Sequence, residues 1–91
     1  MVNQKQTTLK HLQQVPGVGK SIANDLFELG IRSVAQLRGK NPQRMYERRC
    51  KQMATRIDPC LLYVFRCAVY FAETKRPDPE LLKWWNWKAR R

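Results

Sequence analysis

Gly17-Val18-Gly19-Lys20-Ser21 is the stretch of this 91-residue chain whose residue types and spacing could do chemistry. Glycine carries no Cβ, so the backbone at 17 and 19 can turn tightly and come close to a ligand. Val15 and Pro16 precede the pair, and Ile22, Ala23, Leu26 and Leu29 follow at helical spacing. This pattern predicts a tight turn feeding a helix over residues 20 to 29. The first N–H groups of a helix lack intrahelical partners, and the helix dipole adds positive potential at that end. The amides near Gly17, Val18 and Gly19 would therefore form an anion site, with Lys20 adding a mobile charge and Ser21 a hydroxyl donor. Val18 would anchor the turn in the core. A phosphate diester suits such a site, because the contact asks for oxygen atoms and not for a base, so binding would be largely independent of sequence. The competing reading of the same residues is a plain turn between two helices, with glycine used for geometry alone.

The charge balance bears on that choice. Eighteen Lys and Arg stand against seven Asp and Glu, a net charge of +11. Such an excess costs folding energy through self-repulsion and draws anionic polymers or membrane surfaces, nucleic acid being the commonest such partner. Eight basic residues (Arg32, Arg38, Lys40, Arg44, Arg48, Arg49, Lys51, Arg56) lie between positions 32 and 56 with one acid, Glu47. On a helix through this region Tyr46, Cys50 and Met53 fall on one side and Arg44, Arg48 and Lys51 on the other. That basic stripe reads as a face that tracks phosphates beside the turn, or as an ordinary solvated face.

Other chemistry finds little support. Cys50, Cys60 and Cys67 are odd in number and spaced unlike a disulfide framework or a zinc site, which suits buried thiols in a reducing cytoplasm. A nucleophilic cysteine would want a base nearby, and His11 is the one histidine, on a short first helix. Asp58 and Asp78 precede prolines and read as helix caps, while Asp25 and Glu28 share a helix and are expected to face water. No enzyme activity, cofactor or metal is expected. Residues 1 to 6 are polar, unlike a signal peptide. The apolar run from Cys60 to Ala72 is broken by Arg66 and is too short for a bilayer, so no membrane is expected.

The elements that must position the turn follow from Gly, Pro and cap residues. Thr8 is expected to cap a first helix over 9–14, and Gly30 to end the second in the C′ position. Ser33 with Gln36 reads as a capping box opening a short helix through Arg38. Asn41-Pro42 starts a helix to about Ala54, and Asp58-Pro59 starts a mostly apolar core helix to about Glu73. Asp78-Pro79-Glu80 opens a last helix ending in Trp84-Trp85-Asn86-Trp87 and a basic tail. These indoles suit core packing better than base stacking, and Tyr63 and Arg66 also read as structural. No segment alternates as a strand would. The expected fold is all-α, one domain over 1–91, a compact bundle of five or six short helices with its C-terminal helices over about 59–88.

The segment Leu12 to Ala23 resembles the helix-hairpin-helix motif, in which Pro-Gly-apolar-Gly and a polar pair lead into an Ala-containing helix. Leu29 to Leu37 resembles the second half of paired versions of that fold, although no Gly-x-Gly occurs around Gly39-Lys40-Asn41-Pro42. Over nearly its whole length the chain resembles short bacterial helix-hairpin-helix proteins of the "pathogenicity locus" family. The resemblance rests on the hairpin, on the run Tyr63 to Ala72 and on the ending Pro77 to Trp87. It implies a SAM-like helical fold with the hairpin unit at about 9–30, and it brings no established activity. Hairpins of the wider group hold DNA backbone from the minor-groove side, some with a bound monovalent cation, and this carries over to Gly17, Val18, Gly19 and Lys20. The expectation is a sequence-independent DNA-binding module, with DNA ahead of RNA as partner. The alternative is a protein-interaction module of the same fold. Strandedness and oligomeric state stay open.

Overall fold

Glycine and the proline caps decide where the helices of this chain start and stop. The computed structural model describes residues 4–88, all helix, turn and loop, with no strand among them. Helix α1 (Gln4–Leu12) packs against α2 (Lys20–Glu28). Thr8 lies in the middle of α1 and does not cap it, and α1 ends two residues before the expected Gln14. Its last turn passes into a series of short-range bonds, among them Gln14 N to His11 O and Val15 N to Leu12 O, which overwind the chain toward Pro16. At the other end of α2, Gly30 adopts φ +88°. Ile31 N donates to Leu26 O and Gly30 N to Phe27 O, both at 3.0 Å. This is a Schellman ending with Gly at C′, and its partners Leu26 and Ile31 are both buried.

The expected capping box at Ser33 does not form. The segment Val34–Leu37 is a single 3-10 turn, Ser33 makes no side-chain cap, and the Gln36 side chain accepts from the N–H of Arg32 instead. Helix α3 (Pro42–Met53) starts as the sequence implies, with Pro42 at the first helical position and Asn41 Oδ1 accepting from Arg44 N at 3.2 Å. It ends at Ala54 in the left-handed region, φ +54°. Helix α4 (Cys60–Glu73) follows, and Asp58 Oδ1 accepts from Cys60 N at 2.9 Å. That amide holds the Asp58 carboxyl below the usual carboxylate range. The expected last helix is replaced by two 3-10 turns, Pro79–Leu82 and Trp84–Trp87, the first capped by Asp78. In place of five or six helices, the described residues form four α-helices and three single 3-10 turns. The basic tail at Arg90 and Arg91 lies outside the described residues.

Helix α4 is the centre. Leu61, Leu62, Val64, Phe65, Cys67, Ala68, Val69 and Ala72 are buried on it, and Phe65 is wholly inaccessible. Each large apolar side chain so buried contributes about 1.5–3 kcal/mol. Around α4 stand α3, the Val34–Leu37 turn and the Trp84–Trp87 turn. Two bonds from the Val34–Leu37 turn's exit finish the C-terminal end of α4: Arg38 Nε donates to Ala72 O at 3.0 Å, and Gly39 N donates to Glu73 Oε2 at 2.7 Å.

One ion pair ties α3 to α2. Arg49 Nε lies 2.7 Å from Asp25 Oδ1, and Arg49, at 8% exposure, is the buried charged residue among those described. Gln52 accepts from the same guanidinium and donates to Glu28 O. Asp25 therefore does not face water as expected, whereas Glu28 does. Truncating one partner leaves the other charge half-buried and alone, so Arg49→Ala is expected to cost about 3 kcal/mol in urea unfolding. Arg48→Ala, one residue away on the exposed side, is expected to stay within about 0.5 kcal/mol of the parent.

Candidate nucleic-acid interface

The turn between α1 and α2 is closed by a bond from Val18 N to Val15 O, 3.0 Å long. Pro16 occupies its second position and Gly17, at φ +83°, its third, which is the residue order a type II turn demands. The Val18 amide is therefore occupied, which corrects the expectation that it points outward. Its side chain, 5% exposed, anchors the turn in the core as read from the sequence.

The two glycines have different work. A Cβ built on Gly17 would lie 3.2 Å from Trp84 Cδ1, so this glycine serves the left-handed backbone and leaves room for an indole of the C-terminal segment. Gly17's missing side chain is thus filled from inside the molecule, not held open for a ligand. Gly19 has φ −90°, ψ −168°, and a Cβ there would meet nothing within 4 Å. The open approach lies at this second glycine.

From Gly19 onward the main chain presents donors. Gly19 caps α2 without a side-chain bond, and Ala23 N is the first amide to find a partner, Gly19 O at 2.9 Å. Among the described residues no acceptor faces the N–H groups of Gly19, Lys20, Ser21 and Ile22. Of the three amides expected from the sequence, Val18 N is spent inside the turn while Gly17 N, like Gly19 N, meets no acceptor among the described residues, and the free donors extend past the expected set to Ser21 and Ile22. Gly19, Lys20 and Ser21 are exposed. Lys20 also lines a groove of about 250 Å³ with Gln6, Leu9, Lys10 and Gln13. Lys10 is a basic neighbour that the sequence reading missed. Its signal in the sequence was a basic residue seven positions before Gly17, in the last turn of α1.

Six of the eight basic residues between positions 32 and 56 fall into two groups. Arg44, Arg48 and Lys51 are exposed together on α3 and line a shallow depression of about 370 Å³ with Glu47 between them. Arg49, Arg38 and Arg32 are engaged within the fold. Arg32 donates to Phe27 O at 2.6 Å, and its guanidinium carbon lies 3.7 Å above the Phe27 ring. The structure gathers Gly19, Lys20 and Ser21 at the start of α2 and Arg44, Arg48 and Lys51 on α3, and Lys20 and the α3 cations line different depressions.

The remaining candidates resolve as structural. Trp87 Nε1 donates to Leu81 O, Arg66 donates to Trp87 O at 2.9 Å, and the Tyr70 and Trp87 rings lie 5.5 Å apart. Trp84 is half-buried against the core. Cys67 is fully buried, and burial pushes its thiol up to about 11, the opposite of what a nucleophile needs. Cys60, half-buried, is also raised, first by its bond with Asp58. Among the described residues no three His, Cys, Asp or Glu side chains gather as a metal would require. No described helix is long and apolar enough to cross a membrane.

Comparison with known proteins gives two matches. The family described as Cdd1, pathogenicity locus, matches residues 5–91. A protein of Streptomyces lavendulae named mitomycin resistance protein McrB is 36% identical over 80 residues, covering 88% of this chain and 72% of that one. No solved structure matches the chain.

The division of labour between the glycines can be checked by thermal or urea unfolding. Gly17→Ala is expected to lose about 1–2 kcal/mol from the left-handed backbone alone, before any displacement of Trp84. Gly19→Ala is expected to change stability by no more than about 0.5 kcal/mol.

Proposed function

This chain belongs to the Cdd1, pathogenicity locus, family, and from that premise we propose that it is a non-enzymatic module that grips nucleic-acid backbone, DNA ahead of RNA, in the cytoplasm. In this reading α1, the Val15–Val18 turn and α2 form a helix-hairpin-helix unit of SAM-like type, and α2 offers its N-terminus to a phosphate. The observation that carries the proposal is the run of four main-chain N–H groups, Gly19 to Ile22, without an acceptor among the described residues, the first three of them on exposed residues. Such a run at a helix start, where the dipole is positive, is suited to an oxyanion. Lys20 and Lys10 add full charges beside it. Arg44, Arg48 and Lys51 supply a second basic face that lengthens the electrostatic footprint without any base-specific contact.

The open space at Gly19 supports the same reading. Nothing inside the molecule requires glycine there, since its φ is one that any residue adopts, yet a side chain at that point would stand where a phosphate must approach. The three free thiols suit a reducing compartment.

Fluorescence anisotropy with unrelated duplexes over a salt series tests the proposal. With roughly three to five phosphates neutralised, log affinity is expected to fall against log salt with a slope of about −3 to −4.5. Lys20→Glu should abolish most binding at moderate salt, and Gly19→Val should weaken it while leaving the fold intact. Arg44→Ala should reduce the slope by about one. Absence of binding at low salt would remove the proposal and leave the fold as a protein-interaction module whose basic face meets an acidic surface.

A further inference from the structure

Trp85 is the aromatic side chain that packing leaves unexplained. Of the large hydrophobic residues described, two are left exposed, Met53 at 52% and Trp85 at 51%. The neighbouring indoles are consumed: Trp87 bonds to Leu81 O, and Trp84 is half-buried in the core cluster. Trp85 has one ring contact, an edge-on one with Trp84, at 5.7 Å between centroids and 86° between planes. In that arrangement one ring is held against the other while much of its surface stays in water.

Its location gives the exposure meaning. Trp84 is the residue that occupies the space beside Gly17, with Cδ1 3.2 Å and Cβ 3.7 Å from the place of the missing side chain. A continuous line of contact therefore runs from the turn through Trp84 to Trp85. The turn leads directly into the four unpartnered amides and Lys20. The segment that carries Trp85 is itself fixed. Asn86 donates to Glu80 O at 2.6 Å, Asp78 N donates to the Tyr70 hydroxyl at 2.8 Å, and Arg66 holds Trp87 O. An indole face exposed on so well-anchored a turn loses little conformational entropy when something stacks on it.

We propose that Trp85 is a stacking platform for an unpaired nucleobase, set beside the phosphate-gripping turn, and that the chain accordingly favours single-stranded nucleic acid over backbone alone. The proposal rests on the reading of Gly19 to Ile22 as a phosphate site and adds a base contact to it. A basic groove with an aromatic face is the combination by which single strands are held without sequence preference, since every base has a π-face. The net charge of +11 fits a polyanion as occupant and disfavours a basic or neutral partner on the same face. Trp85 touches the base, and Trp84 positions it.

The test compares two oligonucleotides of about a dozen nucleotides, a thymidine strand and an abasic strand carrying the same phosphates, by anisotropy on the full chain. The parent protein is expected to bind the thymidine strand about 5- to 100-fold more tightly than the abasic one. Trp85→Ala should erase that ratio while leaving abasic affinity and its salt slope unchanged, and Trp85→Phe should restore part of it. Because the side chain is exposed, both variants should keep the helical circular dichroism of the parent. Equal binding of the two strands by the parent, or an unchanged ratio in Trp85→Ala, overturns the stacking role and leaves the phosphate site standing. No binding of either strand at low salt overturns both.

Discussion

The bond from Val18 N to Val15 O, made possible by the positive φ of Gly17, is the constraint on which the arrangement depends. It reverses the chain within four residues, buries Val15 and Val18, and leads into α2, whose first amides have no acceptor among the described residues. A residue with a Cβ at 17 would carry backbone strain and meet Trp84. The same glycine therefore sets the angle of the turn and admits the C-terminal segment, so that residues 17 and 84, remote in sequence, form one local structure. The turn that precedes the donors at Gly19 to Ile22 is thereby held by the burial of Val15 and Val18 and by the approach of Trp84 to Gly17.

A strongly basic chain has to decide which of its cations stabilise the fold and which stay available. Arg49 binds Asp25 across the α2–α3 junction, Arg38 closes the carbonyl end of α4, Arg32 lies on Phe27 and Arg66 holds Trp87. Guanidinium suits these roles because it offers several donors in one plane and rests readily on an aromatic face. The cations left to solvent near the turn are lysines, Lys10 and Lys20, whose compact mobile charge suits contact with a backbone of any sequence. Arg44, Arg48 and Lys51 remain outside on α3 because the opposite side of that helix carries the buried Met45, Tyr46 and Arg49.

How far the sequence was legible follows this division. Helix starts marked by Asn41-Pro42 and Asp58-Pro59, the Gly30 ending and the apolar core of α4 could all be read, because each is set by local backbone chemistry or by a continuous apolar pattern. The capping box at Ser33 and the helix after Asp78 could not, since both segments are short and competing local bonds, Arg32 N to the Gln36 side chain and the Asn86 side chain to Glu80 O, take the place of the expected ones. At the candidate site the sequence located the turn and the free amides of Gly17 and Gly19 but also counted that of Val18, because whether an N–H is spent inside a turn depends on the turn type. Asp25 with Arg49 was invisible for a different reason: a pair separated by 24 positions leaves no periodic trace.

In the proposed function Gly19 to Ile22 offer their amides to a phosphate. Amide chemical-shift mapping of the chain during titration with a short duplex measures it directly. The largest N–H shifts are expected on Gly19, Lys20, Ser21 and Ile22, passing over Val18, whose amide is already bonded to Val15 O. Shifts that leave these four unmoved while the complex forms would contradict it.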